Sequence, residues 1–212
     1  MRMLIIAATE TELKAIPANA AMGRHTIEPL VTGLGLLTSA ISLMKKIHNQ
    51  KPDLVIQIGI AGSLSHSLPI GEAVAVKSET VGDLGVVENG EFQSIFKMGL
   101  AKSDEFPFTT GRLINPHEQL LHLSELQLVD AVSVNEISTH PSSIQYYHEK
   151  LGASIESMEG AAFHQVCLAF SIPFIQIRGV SNRAGIRDKS QWNIPLAIAS
   201  YTHALKNLIS KI

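Results

Sequence analysis

The sequence predicts an α/β layered fold with a largely parallel sheet. The runs Leu4–Ala7, Asp53–Ile60 and Phe174–Val180 are mostly apolar and read as strands buried on both faces. Stretches of helical spacing stand between them, and turns of small residues follow several strands, as in βα units.

The bulk numbers agree. The chain has 212 residues, 45% hydrophobic and 17% charged, with a formal net charge of −2. That is enough to bury a sizeable core, and one domain over residues 1–212 is expected. Basic residues are mostly scattered singly, so no nucleic-acid partner is expected. No stretch approaches the roughly 20 apolar residues of a membrane span. Glu10 and Glu12 cut the N-terminal apolar run short of an export signal's core. The single cysteine, Cys167, sits in an apolar run with His164 one turn away and reads as a buried thiol. A cytoplasmic protein without a membrane partner is the expectation.

In chain order, Leu4–Ala7 is the first strand. Thr9 with Glu12 three residues on forms a capping-box pattern that opens a short helix. Apolar residues return at Pro29–Val31, and Thr32-Gly33-Leu34-Gly35 makes a tight turn into a helix over Leu36–His48. Asp53–Ile60 is the next strand, closed by the small-residue loop Gly59–Ser63. Glu72–Val76 is a further strand, followed by the Gly-rich Val81–Gly85. Residues 86–108 lack periodicity and read as loop. Leu128–Val134 reads as a strand, Ser142–Leu151 and Met158–Phe170 as helices, and Phe174–Val180 as the last strand. A C-terminal helix starts near Asn193 or Pro195.

Several patterns carry chemistry, each beside a plainer reading. Gly33-Leu34-Gly35-Leu36-Leu37-Thr38 lacks the last glycine of a dinucleotide fingerprint and reads better as a turn for close ligand approach. His117 and His122 miss zinc-motif spacing by one residue. Five positions turn a helix by roughly 140° beyond a full turn, so no metal is expected there. Glu12 is either a helix cap or a carboxylate at the sheet's carboxyl edge. Glu159, beside small and apolar residues, is either a structural ion-pair partner or a buried functional acid. Asn182 is a turn residue or a ligand contact.

Glu12, the glycine loops, Ser157-Met158-Glu159-Gly160-Ala161-Ala162 and Val180-Ser181-Asn182 together resemble the nucleoside phosphorylase and hydrolase family over essentially the whole chain. The resemblance is closest to its bacterial hydrolase branch, which includes methylthioadenosine/S-adenosylhomocysteine nucleosidase and futalosine hydrolase. It implies a three-layer α/β/α fold with a central mixed, largely parallel sheet, a nucleoside substrate, no cofactor, and a homo-oligomer of two or more subunits. Glu12 is expected to activate water and Asn182 to stabilise the leaving base. Glu159 and Met158 are expected at the ribose, Thr32 and Gly62 at the site wall, and the backbone of Asn135, Glu136 and Ile137 at the base.

Within the branch, adenosine-type members carry Ser-Asp where this chain has Ser181-Asn182. An amide can donate to a 6-oxo group and accept a proton held on N7, whereas an ionised aspartate would face the oxygen's lone pairs. Asn182 therefore favours a 6-oxopurine. The segments 157–163, 181–192 and Gly82-Asp83-Leu84-Gly85 resemble the futalosine-cleaving members of the branch, and that resemblance implies futalosine as the substrate. Arg183, Arg187 and Lys189 are candidates to pair with the carboxylated aryl group on its sugar, or form a solvated charge run. Ile60 stands where relatives often have a hydroxyl, and no Arg lies between Arg24 and Arg112 to hold phosphate. Water is the expected nucleophile. An adenosine-type nucleosidase, a purine nucleoside phosphorylase and a catalytically silent nucleoside binder are the alternatives.

Overall fold

The computed structural model describes residues 1–16, 21–22 and 25–212, so Arg24 lies outside the described residues. The chain runs β1 (Arg2–Ala7), α1 (Glu10–Leu13), β2 (Ala21–Met22), β3 (His25–Val31), α2 (Leu36–Asn49), β4 (Leu54–Ser63) and β5 (Ala73–Val81). Then come β6 (Gly85–Glu88), β7 (Glu91–Ser94), β8 (Leu113–Ile114), α3 (Glu118–Leu123), β9 (Gln127–Ser133), α4 (Pro141–Gln145) and β10 (Ile155–Ser157). The chain ends with α5 (Gly160–Ala169), β11 (Phe174–Arg183) and α6 (Ile194–Lys211).

The main sheet runs β10-β9-β5-β11-β4-β1-β3-β2, with β8 beside β5. Pairs β1–β3, β1–β4, β4–β11, β5–β9 and β9–β10 are parallel, whereas β5–β11 and β4–β10 are antiparallel, so the sheet is mixed and largely parallel. Because β10 pairs with both β9 and β4, one end of the sheet curls into a closed ring.

Alternation along β1 sets the layers. Met3, Ile5 and Ala7 pack with Leu13, Leu121, Tyr201, Leu205 and Leu208 on one face. Leu4 and Ile6 pack with Leu43 and Ile47 of α2 and Phe163, Val166 and Cys167 of α5 on the other. This is the three-layer α/β/α arrangement that the sequence predicts. Among the described residues no helix is long and apolar enough to cross a membrane.

Some boundaries differ from the sequence reading. Residues 86–108 are not simply loop. They contain the β6–β7 hairpin, turned at Asn89-Gly90 with φ 52° and 81°. Asn-Gly is the strongest short hairpin signal, and positive φ at both positions suits a type I′ turn. The small-residue segment Gly59–Ser63 is strand rather than loop, because β11 and β10 pair with it on either side. The helix expected from Met158 starts at Gly160, and Met158 and Glu159 form a bend between it and β10. Likewise β11 runs on past Val180 through a bulge to Arg183.

Candidate active site

The carboxyl ends of β1, β4, β10 and β11 surround a cavity of about 310 Å³. That is where open α/β sheets place ligands. Glu12, Gly62, Ile137, Met158, Glu159 and Asn182 all line it.

Glu12 is held by local chain geometry. Thr9 accepts from Glu12 N, and Glu12 Oε2 accepts from Thr9 N at 3.0 Å and Thr9 Oγ1 at 2.8 Å, so the capping box is complete. Its other oxygen accepts from Ile60 N at 3.0 Å. The cap and the cavity role thus coexist: the box fixes the carboxylate against β4 while the side chain remains on the cavity wall. Gly59 allows this close approach. A Cβ there would lie 2.8 Å from Glu12 Oε1 and 2.5 Å from Arg178 Nη1.

Glu159 stands between β10 and α5, buried. Its Oε1 accepts from Gly35 N at 3.1 Å, a contact available because Gly35 holds φ at 84°. Its Oε2 lies 3.9 Å from Nη1 of the buried Arg178. Burial raises the Glu159 pKa; Arg178 and the Gly35 amide oppose the shift, and Glu12 adds to it. Arg178 also donates to Ile60 O at 3.4 Å. It is absent from the cavity wall and fastens Glu159 to the β4 end from behind.

The bulge between Val180 and Asn182 re-aims Asn182 into the cavity. Ser181 Oγ donates to Asn182 Oδ1 at 2.7 Å, and Asn182 Nδ2 donates to Arg183 O at 2.9 Å. Across three strands Asn182, Gly62 and Glu156 share one register row. Two strand spacings put the outer pair roughly 10 Å apart over the bare Gly62 floor. Glu156 is buried on the cavity wall, accepts from Ser138 N at 3.1 Å, and has its pKa raised by burial.

The remaining sequence candidates are placed differently. Thr32 is buried off the wall, its hydroxyl donating to Ala7 O at 3.2 Å. Asn135 and Glu136 are exposed, and their amides donate to Asp83 Oδ2 at 2.6 and 3.4 Å. Of that trio only Ile137 reaches the cavity wall. Cys167 is buried in the core with its pKa raised by desolvation.

Sequence reasoning missed Glu156, Arg178 and a buried polar network behind Glu159. Glu79 Oε1 accepts from Gln176 Nε2 at 2.9 Å, and its Oε2 accepts from Ser133 Oγ at 3.0 Å. Burial pushes the Glu79 pKa up to about 7. His164 is held neutral by burial, its pKa pushed down to about 4. A signal existed: Gln176 and Arg178 are polar at alternate positions of an otherwise apolar strand, so they share one face and require buried partners.

Comparison with known proteins fits this architecture. The chain is 28% identical to futalosine hydrolase of Thermus thermophilus over 185 residues, 86% of this chain and 80% of the relative. It is 28% identical to 5′-methylthioadenosine/S-adenosylhomocysteine nucleosidase of Bacillus cereus over 181 residues, covering 84% and 78%. A solved structure of a futalosine hydrolase mutant of Helicobacter pylori superposes with a TM-score of 0.84 at 16% identity, covering 100% of this chain and 99% of that one. The family model of the phosphorylase superfamily matches residues 3–211, and the chain belongs to that superfamily.

Proposed function

We propose that the chain, acting as one domain over residues 1–212, hydrolyses the N-glycosidic bond of futalosine. The products are hypoxanthine and dehypoxanthine futalosine, which places the step in menaquinone biosynthesis. The observation that carries the reading is the Asn182 amide. The Arg183 carbonyl fixes which end is which, since a flipped amide would set its oxygen against it, and the Ser181 hydroxyl then donates to the amide oxygen. One N–H and one oxygen lone pair remain free, enough to donate to a 6-oxo group and accept from N7–H. Glu156, across Gly62, faces the far edge, where hypoxanthine presents N1–H to a carboxylate. Adenine presents the opposite pattern at both positions.

Electrostatics supports water as nucleophile. The wall carries Glu12, Glu156 and Glu159 against the single cation Arg187, and Arg178 is paired with Glu159 behind it. A phosphate dianion would be repelled there, whereas water is neutral. Cleavage builds oxocarbenium character on the ribose. Glu159 accepts from the ribose hydroxyls and opposes that charge, and Met158 packs on the sugar face. Glu12 orients and deprotonates water, a role worth about 10²–10⁴ in rate. Asn182 stabilises the departing base.

The likeness to the Thermus enzyme supports this substrate. The equal identity to the Bacillus nucleosidase keeps adenosine-type substrates as the second reading, against which Asn182 stands. A homo-oligomer and a cytoplasmic location complete the proposal. Leu34, Leu37, Ile41 and Met44 form an exposed apolar stripe that begins at the cavity, a surface suited to a second copy. Purified protein incubated with futalosine, with and without phosphate, tests the chemistry. Hypoxanthine and the free-sugar product at a rate indifferent to phosphate are expected. A sugar 1-phosphate, or strict phosphate dependence, would refute hydrolysis.

A further inference from the structure

Base, ribose and water use one part of the cavity. Leu34, Trp192, Ile194 and Ile198 form an apolar wall with no part in that chemistry. With the base at Asn182 and the ribose at Glu159, this wall is what remains for a substituent on the sugar's 5′ side. The segment between β11 and α6 builds its rim and is tied down. Asn193 N donates to Ser181 O at 2.8 Å, and Trp192 Nε1 donates to Ile186 O at 2.9 Å.

The segment holds Arg183, Arg187 and Lys189, and the structure separates them. Arg183 Nη1 donates to Ser63 Oγ at 3.0 Å, Leu68 O at 2.9 Å and Ser65 O, so its guanidinium is engaged in fastening the neighbouring loop. Lys189 is exposed and off the cavity wall. Arg187 lines the wall, its guanidinium carbon 5.4 Å from the centroid of the Trp192 ring. The adjacent carboxylate is turned away: Asp188 accepts from Ser190 N at 3.0 Å, Ser190 Oγ at 2.7 Å and Gln191 Nε2 at 3.1 Å. Arg187 is absent from the ion pairs formed among the described residues. It is an exposed cation, without an ion-pair partner among the described residues, over an aromatic ring at the cavity mouth.

We propose that Arg187, laid on Trp192, selects nucleosides whose apolar 5′ substituent ends in an anion. This rests on the nucleoside-hydrolase reading above. The substituent's ring or chain packs along Trp192, Ile194 and Ile198, and its carboxylate meets the guanidinium fork, whose planar donors match a carboxylate's two oxygens. Arg187 is a specificity residue; it takes no part in bond cleavage.

The test compares wild type, Arg187→Gln and Arg187→Lys on futalosine, futalosine methyl ester and inosine. Arg187→Gln is expected to lower kcat/KM for futalosine about 10- to 100-fold more than for the ester or inosine, the range set by a charge-assisted hydrogen bond. The loss falls in KM, and Arg187→Lys recovers part of it. Equal losses on all three substrates would make Arg187 a loop-positioning residue and overturn the proposal. So would an undiminished rate on futalosine, or a wild type that cleaves inosine and leaves futalosine intact. Failure of the underlying reading looks different: wild type would release no base from any of the three, and both conclusions would fall together.

Discussion

In the proposed mechanism Glu159 acts as an anion, and its surroundings set the pH at which it becomes one. Burial lifts its pKa above the ordinary 4.5, with Arg178 and the Gly35 amide restraining the rise. The acidic limb of kcat/KM is therefore expected above pH 4.5, activity falling as pH drops through the raised value and Glu159 takes up a proton. A profile flat down to pH 4.5 would contradict an essential Glu159 carboxylate. Glu79 gives a stability signature of the opposite sense. Its pKa is pushed from 4.5 up to about 7, so the folded state holds a proton that the unfolded chain has released. Stability then declines as pH rises from 4.5 to about 7 and levels off above. Glu79→Gln has no such proton, so its urea midpoint should gain on wild type across that window. Curves that run parallel would show that Glu79 ionises normally in the fold.

The same residues show what a sequence can and cannot disclose. Local pattern places Glu12 and Asn182 at the ends of strands, whereas Glu159 reads as the start of a helix and only the family resemblance puts it beside them. Gly62, Met158 and Ile137 joined them on the cavity wall. The alternation of Gln176 and Arg178 in an apolar strand signals a buried polar face but not its partner, because Arg178 meets Glu159 only through register, and Glu156 shares a row with Asn182 only because β10 and β11 flank β4. Pairing across distant strands leaves no spacing signal.

Elements were legible in proportion to their local signals. The capping box of α1, the span of α2 and the buried β1 follow from periodicity and capping chemistry. Strand ends at the site did not, because Gly59–Ser63 has loop composition and is held as strand by its neighbours. That composition serves close approach. Gly59→Ala would press a methyl group against Glu12 Oε1 and Arg178 Nη1, at 2.8 and 2.5 Å. Both charged groups must then move. The expected result is a loss of about 10² in kcat/KM, the scale of a 1 Å misplacement. A cost of about 1–3 kcal/mol in a urea melt should accompany it. A fully active variant would show that Glu12 needs no such precise seat.

On the scale of the whole molecule, the layered fold gathers the site from strands far apart in sequence and leaves the α2 stripe uncovered. Leu37 is 74% and Leu34 64% exposed, an apolar surface adjoining the cavity mouth. A second copy on that stripe predicts a dimer or larger assembly by light scattering, and Leu37→Glu with Ile41→Glu should yield monomers. A monomeric wild type would show that the stripe holds no second copy. Substrate choice is measured most directly by competition. Futalosine and methylthioadenosine are mixed at equal concentration without phosphate, and free purine is followed by chromatography. The ratio of initial rates then equals the ratio of kcat/KM values. Hypoxanthine in large excess over adenine is the predicted result; adenine in excess would contradict the reading of Asn182 and make the protein an adenosine-type nucleosidase.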